Sequence, residues 1–386
     1  MNEHSTNYNA LKQTEPSLPA RWYFDEAHHQ RELKEIWHKS WVYVCRLHDL
    51  AEPLSFRTVE IGDQNIVVLR GETGDVMAFH NACRHRGSIL CSERQGQLKS
   101  KLIVCPYHQW AFAASDGRLV KTSSFAEPDG FERDDYGLFP VAVAVWRGLV
   151  FINLDESADW DADLPFQREP AHLNNFPIED MVTVHTWRKV MACNWKTFWE
   201  NFNECLHCPN IHPELSDLVP MYGRRIVNIK DVPDWADNAG SEDPKYRGGL
   251  REGSQTWSTD GSAQGHVIAS LTADEVARGQ TYGVAMPGMF VGAYADHMRI
   301  VRMLPLSAEE TELVAEWLVP PETAEAADYD ISQIVDFAIM VMDQDLAACE
   351  LNQRGLHAAP LQQGVLMPEE YHVKHFQDWV RARMPE

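Results

Sequence analysis

Two mixed cysteine–histidine pairs constrain this chain more tightly than any other feature. Cys83-Arg84-His85 is followed, after nineteen residues, by Cys105-Pro106-Tyr107-His108. Each half offers one thiolate and one imidazole on a tight turn. β-rich runs end at His80 and at Val104, so two neighbouring hairpin tips would bring four ligands together. Two Cys and two His can hold tetrahedral zinc. Zinc-finger spacing, however, joins Cys to Cys and His to His. A mixed half suits a [2Fe-2S] cluster in which one iron takes both thiolates and the other both imidazoles. Neutral imidazole ligands would set the reduction potential above that of an all-cysteine cluster.

The surrounding pattern is that of a small all-β domain. Short β-rich runs recur at 41–45, 56–61, 65–69, 76–80, 102–104, 141–146 and 149–154, separated by turn signals such as Gly62-Asp63 and Asp116-Gly117. Beyond Asp155 the elements lengthen. We expect a strand at 182–190, a helix at 194–207, a long loop or lid at 231–265, strands at 282–304 and 311–319, a long helix at 331–353 and a short helix after Pro368. Residues 1–20 read as a mobile tail and 25–37 as a helix with Leu33, Ile36 and Trp37 on one face. The expected divisions are a tail and helix at 1–40, packed with the catalytic domain, a cluster domain at 41–154 and a second domain at 155–386.

Composition removes several function classes. The formal charge of −23 repels phosphate, which argues against nucleic acid and anionic lipid as partners. The most apolar stretch, 283–295, contains Pro287 and falls short of the roughly 18 residues a membrane helix needs. The first residues lack the basic start and apolar core of a signal peptide, so a cytoplasmic protein is expected. In that setting the eight cysteines suggest metal binding before disulfides.

A second constellation lies in NWKTFWENFNECLHCPNIHPEL, starting at Asn194. At about 100° per residue, Trp195, Phe198, Trp199, Phe202 and Leu206 share a core stripe, with Glu200, Glu204 and His207 opposite. Such a trio alone reads as a solvated face. Pro209 should end the helix nearby and let the chain return His212 beside His207. Two histidines so placed could share a metal ion with a carboxylate. The carboxylate must come from elsewhere. Asp336, Asp343 and Glu350 form a polar stripe on the long helix, whereas Asp345 falls among Ile334, Ala338, Met342 and Cys349. A carboxylate on an apolar face needs a partner, so Asp345 is the expected third ligand and Asp343 the fallback. Cys205 and Cys208 read as packing residues, or as residues supporting the metal ligands from behind, rather than as a redox pair.

CRHRG at 83–87, CPYHQW at 105–110 with Asp116-Gly117, and the 204–212 histidine motif together resemble the Rieske ring-hydroxylating oxygenase α-subunit family. Gln109 departs from the pattern, standing where many members carry Gly. The resemblance spans about 40–380. It implies an α+β chain, with an all-β Rieske [2Fe-2S] domain beside a helix-grip catalytic domain. It implies a cluster on Cys83, His85, Cys105 and His108, a mononuclear iron on His207, His212 and Asp345, and O2 as co-substrate. It further implies a homotrimer in which His108 touches Glu204 of the neighbouring chain, Glu204 bridging on to His207. Electrons would come from a separate NAD(P)H-dependent flavin or ferredoxin-type reductase, since no G-x-G-x-x-G follows a strand here. Arg84, Arg86, Arg94, Lys99 and Lys101 are the expected docking patch.

The segment ENFNECLHCPNIHPEL looks most like the branch acting on quaternary ammonium compounds such as glycine betaine, stachydrine and carnitine. Oxygen inserted at an N-methyl group gives a hemiaminal that releases formaldehyde. Phe290, Tyr294 and Trp257 are candidate members of an aromatic cage for such a cation. The rival readings are an aromatic acid hydroxylase or O-demethylase of the same family, a Rieske electron carrier without a second iron, and a binding module with structural zinc.

Overall fold

The computed structural model describes residues 9–161, 166, 171–232, 234–241, 246, 248–327 and 329–384. These residues form two compact units. One comprises the described part of Leu33–Gln167 with Ala285–Gly288, and the other the described remainder. The first division falls at 32/33 and the second between the described residues 166 and 171.

The first unit is all β. Its seven-stranded antiparallel sheet runs in the order Val42–Arg46, Leu149–Asn153, Pro140–Trp146, Val76–His80, Gln64–Arg70, Ser55–Ile61, Gln95–Gln97. A three-stranded sheet follows the order Leu102–Val104, Ala111–Ala113, Leu119–Lys121. The alternating runs in the sequence locate the long strands to within a residue or two. Gln95–Gln97, Ala111–Ala113 and Leu119–Lys121 escaped: three residues are too few to display a period of two, and they lack the unbroken Leu-Ile-Val run that marks Leu102–Val104. Phe79, Phe112, Leu119 and Leu138 pack together with Trp110 beneath the two cysteines. Gly117 has φ +74°, and a Cβ there would lie 2.6 Å from the Phe79 ring. The Asp116-Gly117 turn therefore requires glycine both for its backbone and for the core under it.

The second unit is built on a five-stranded antiparallel sheet in the order Val182–Met191, Glu310–Val319, Met298–Ser307, Met289–Tyr294, Gln280–Ala285. The stretch read as one strand at 282–304 is three, folded back at the Pro287-Gly288 turn and again at Ala295–His297. Continuous apolar character concealed both reversals. The outer strand Val182–Met191 carries Arg188 and Lys189, charges that discourage pairing with another chain. Phe290 on the sheet meets Phe202 of the helix Trp195–Phe202, with ring centroids 4.4 Å apart. The long helix Ser332–Leu356 buries Ile334, Ala338, Met342 and Cys349, the expected face. A sheet gripped around a long helix is the helix-grip arrangement.

The expected mobile tail is corrected where it is described. Glu15–Pro19 is a strand paired antiparallel with Gln363–Leu366, and Asn9 and Leu11 donate backbone hydrogen bonds to Lys230 and Pro368. Residues 1–8 lie outside the described set. Backbone pairing to a segment some 350 residues away leaves no local signature. The helix Glu26–Glu35 is as expected at its apolar face, with Leu33, Ile36 and Trp37 buried. It also carries Glu32 into the core. Glu32 accepts from Lys196 Nζ at 2.6 Å and from Trp195 Nε1 at 2.9 Å, and both charged side chains are fully buried. Removing one member of such a pair strands the other. We expect Lys196→Met to destabilise this unit by about 3–5 kcal/mol, and the Lys196→Met, Glu32→Leu double variant to recover most of the loss. Urea midpoints of the three proteins test this.

Candidate metal centres and active site

The two cysteine–histidine loops are built alike. Gly87 N–H donates to Cys83 O, and Gln109 N–H donates to Cys105 O. Each loop thus closes on the residue four past its cysteine. Both closing residues have positive φ, +75° at Gly87 and +58° at Gln109. The left-handed backbone explains why glycine suits position 109, and Gln109 holds it at a steric cost of roughly 1 kcal/mol. Cys83 and Cys105 are buried, whereas His85 is exposed and His108 partly so. The two thiols hydrogen-bond each other; burial raises the pKa of Cys83. At Cys105 the backbone N–H groups of His108 and Tyr107 outweigh burial and lower it. The imidazole rings lie 4.8 Å apart, and His85 stacks on Trp110 at 4.8 Å. Arg86 donates to His108 Nε2 at 2.9 Å. Desolvation, the Arg86 charge and His85 keep His108 below its usual value, which favours the neutral imidazole that a ligand must be. Two inward thiols and two outward imidazoles fit a Rieske cluster.

Around the second constellation the structure corrects the helix. Trp195–Phe202 ends at Asn203, whose side chain donates to Trp199 O at 2.7 Å. Glu204 and His207 therefore lie beyond it, not on its polar face. A single turn, Cys208–Ile211, follows, with His207 at its N-cap and His212 at its C-cap. Pro209 and Pro213 occupy first-turn positions of short helices, where the missing N–H costs nothing. The two histidines thus converge because they bracket one turn, with ring centroids 5.2 Å apart.

Asp345 joins them from the long helix. Its Oδ1 lies 2.8 Å from His212 Nε2 and 3.4 Å from His207 Nε2. One ligand atom from each of the three residues falls within a 4.8 Å span. The far nitrogens are held from behind: His207 Nδ1 by Glu204 at 2.5 Å and His212 Nδ1 by Gln344 at 2.7 Å. Such partners fix the tautomer that turns Nε2 toward a metal. Burial depresses the pKa of His207, but Asp345 and Glu204 outweigh it and raise the value to about 9. Burial raises the pKa of Asp345, and its bonds to the two histidines bring it below the usual carboxylate range. A protonated imidazole here takes the place of a cation, so the donor set fits a divalent metal. Gln344 was not singled out in the sequence; its place beside Asp345 in DQDLAACEL was the available signal. Asp343 is not part of the set, since it pairs with Lys189.

Other expectations change. Cys205 and Cys208 are joined by a disulfide, contrary to their reading as packing or supporting residues. Trp257 is buried in the apolar cluster with Tyr294, Phe337 and Val341, not on a lid. Tyr294 and Phe290 are buried too. In the expected docking patch, Arg84 donates to Gly137 O and Asp135 O, and Lys101 pairs with Glu72 at 2.8 Å.

The family description "Ring hydroxylating alpha subunit (catalytic domain)" matches residues 178–386, and "Rieske [2Fe-2S] domain" matches 40–133. The chain belongs to the ring-hydroxylating oxygenase α-subunit family. As a Rieske oxygenase subunit it is an oxidoreductase of a family that uses a [2Fe-2S] cluster, a mononuclear iron and O2 and draws electrons from a separate reductase. The glycine betaine monooxygenase oxygenase subunit of Pseudomonas aeruginosa is 31% identical over 391 residues, 95% of this chain and 89% of that one. The carnitine monooxygenase oxygenase subunit of Escherichia coli K12 is 34% identical over 215 residues, 55% of this chain and 56% of that one. The crystal structure of the quaternary ammonium Rieske monooxygenase CntA with γ-butyrobetaine has a TM-score of 0.70 at 22% identity, covering 97% of each chain. At that identity the likeness is one of fold. Among the described residues no helix is long and apolar enough to cross a membrane.

In this Rieske oxygenase subunit a cavity of about 370 Å³ opens behind Glu204, lined also by Tyr23, Glu200 and Gln377. Glu200 was expected on a solvated face. Instead it accepts from Tyr23 Oη at 2.5 Å and Gln377 Nε2 at 2.8 Å, and burial pushes its pKa up to about 7 in spite of these bonds. A carboxyl whose folded pKa is raised holds its proton longer in the native state. Stability then falls as pH climbs from the unfolded value, about 4.5, through 7. Glu200→Gln should therefore leave Tm nearly unchanged at pH 4.5 and raise it at pH 8, by the equivalent of on the order of 2–3 kcal/mol. Thermal denaturation at the two pH values reads this difference.

Proposed function

We propose that the chain is the terminal oxygenase component of a Rieske monooxygenase that N-demethylates or cleaves a quaternary ammonium compound of the betaine type. The observation that carries the reading is the His207, His212, Asp345 set, with ligand atoms within 4.8 Å, in a chain 31% identical across 95% of its length to a glycine betaine monooxygenase oxygenase subunit. Cys83, His85, Cys105 and His108 hold the cluster in this reading, and His207, His212 and Asp345 the iron. With both groups bound, the site supplies reduced iron for O2 activation. The protein's own residues then do the following. Glu204 and Gln344 keep the imidazoles in the ligating tautomer. Trp257, Tyr282 and Tyr294, mutually within 6.5 Å, offer π faces to a cation that has no N–H to donate. The substrate's methyl C–H becomes C–OH, the second oxygen atom leaves as water with two electrons and two protons, and the hemiaminal releases formaldehyde.

The active assembly is a homotrimer in the cytoplasm, in which the partly exposed His108 of one chain meets Glu204 of the next. The buried thiols and outward imidazoles of the cluster support exit of electrons through a histidine. The external donor is a flavin- or ferredoxin-type reductase using NAD(P)H.

Two outcomes follow. Oxygen uptake driven by NADH through a surrogate reductase should be stimulated by glycine betaine or carnitine, with formaldehyde formed in step. Stimulation by aromatic acids alone, without formaldehyde, transfers the enzyme to the hydroxylase branch. Separately, Glu204→Gln should retain the cluster's visible spectrum and full iron content yet slow single-turnover oxidation of the cluster by on the order of 100-fold, about 2.7 kcal/mol of barrier. Cluster oxidation at the wild-type rate in this variant removes Glu204 from the electron path.

A further inference from the structure

One buried charge in the catalytic unit has no counter-ion. Arg299 lies on the strand Met298–Ser307 and is 5% exposed. Its Nε and Nη1 have no hydrogen-bond partner, and among the described residues no carboxylate pairs with it. Guanidinium stays protonated at any working pH, so this is a permanent cation held out of water. Its guanidinium lies 5.7 Å from the Trp257 ring centroid and 6.0 Å from that of Phe290. Aromatic faces attract the cation but accept no N–H bonds in the plane of the guanidinium. Burial of such a group without acceptors is costly; Arg302, on the same strand, has Glu312 as its counter-ion at 3.5 Å.

Gly292 is the residue directly across the strand pair from Arg299. It has no side chain to cover the charge, and the Tyr294 hydroxyl would lie 2.7 Å from a Cβ placed there. That hydroxyl is itself buried without a hydrogen-bond partner. Trp257, beneath Arg299, belongs to the apolar cluster with Leu215, Phe337 and Val341. Leu215 follows His212 by three residues, and Val341 precedes Asp345 by one helical turn. Arg299 and the His207–His212–Asp345 set therefore border the same apolar cluster.

We propose that Arg299 is the anchor for a substrate carboxylate and sets the choice between carboxylate-bearing and carboxylate-free substrates. A carboxylate on Arg299 forms short, charge-assisted, bidentate hydrogen bonds and supplies the missing counter-ion. The Tyr294 hydroxyl is placed to donate to the same group. The positive end of a betaine is repelled by Arg299 and turned to the faces of the Trp257, Tyr282 and Tyr294 group that lie away from the guanidinium, in the cluster that also holds Phe337 and Val341 of the helix carrying Asp345. Choline, whose cation comes without a carboxylate, leaves Arg299 unpaired and adds a second positive charge beside it. A site built around a buried polar group rejects the ligand that cannot satisfy it far more strongly than a merely apolar pocket does. This inference deepens the quaternary ammonium reading and rests on it for the identity of the cationic end.

The test compares wild type, R299K and R299Q as holoenzymes with a surrogate reductase. The substrates are two pairs that differ in the carboxylate: glycine betaine against choline, and benzoate against benzyl alcohol. Tm and the visible spectrum verify that each variant is folded and carries its cluster. Wild type should favour the carboxylate member of whichever pair it accepts. R299Q should raise KM for that member by about 10- to 100-fold with a smaller effect on kcat, and the preference over its neutral-end partner should collapse; R299K should recover part of it. Wild type accepting choline as well as glycine betaine, or R299Q keeping the wild-type KM ratio, overturns the assignment. If R299Q does not fold, the R299K ratio and the wild-type preference still decide. A wild-type preference for benzoate over glycine betaine sinks the quaternary ammonium reading alone, because the R299K and R299Q effects on benzoate then judge Arg299 separately.

Discussion

A carboxylate on the wrong side of a helix organises the catalytic unit. Asp345 sits on the buried face of Ser332–Leu356, where a negative charge is tolerable only with cations around it. His207 and His212 are brought to it by a chain that abandons its helix at Asn203, makes one turn between two proline-led starts and so presents both imidazoles to one point. Glu204 and Gln344 then fix those imidazoles from behind. Much of the local irregularity between 203 and 213 follows from that requirement. A regular helix would place the two histidines about 140° apart around its axis.

The cluster unit solves a comparable problem by repetition. Two loops, each closed by a backbone bond four residues past its cysteine, turn sulfur inward and imidazole outward. Position 109 shows the constraint from the other side. The loop demands a left-handed residue there whatever the side chain, and Gln109 adopts that conformation at φ +58° instead of changing the loop.

Legibility in the sequence followed the range of the interaction. The two cysteine–histidine loops, and the convergence of His207 and His212 with Asp345, were visible because residue type, spacing and a clash with local apolarity mark them. The longer strands were visible through period and turn chemistry. What escaped depended on distant partners: the pairing of Glu15–Pro19 with Gln363–Leu366, the burial of Lys196 against Glu32, the withdrawal of Glu200 into a lined cavity, and the unpaired state of Arg299. Each of these residues reads as ordinary surface polarity until the opposite element is in place. The helix boundary at Asn203 was missed for a related reason, since the apolar stripe continues through Leu206 although the backbone hydrogen bonds do not.

The strand Glu15–Pro19 is hydrogen-bonded to Gln363–Leu366, while Leu33–Gln167 forms a unit nearly complete within its own span. Synthesis therefore meets the two units in an order opposite to that of their first residues. The nested unit has almost all its strands once its span has left the ribosome. The early strand and the helix that carries Glu32 must wait for partners made much later, Lys196 first and Gln363–Leu366 last of all. During that interval a core carboxylate and an unpaired strand edge are exposed on the nascent chain, and that is the stage at which a chaperone would have the most to protect.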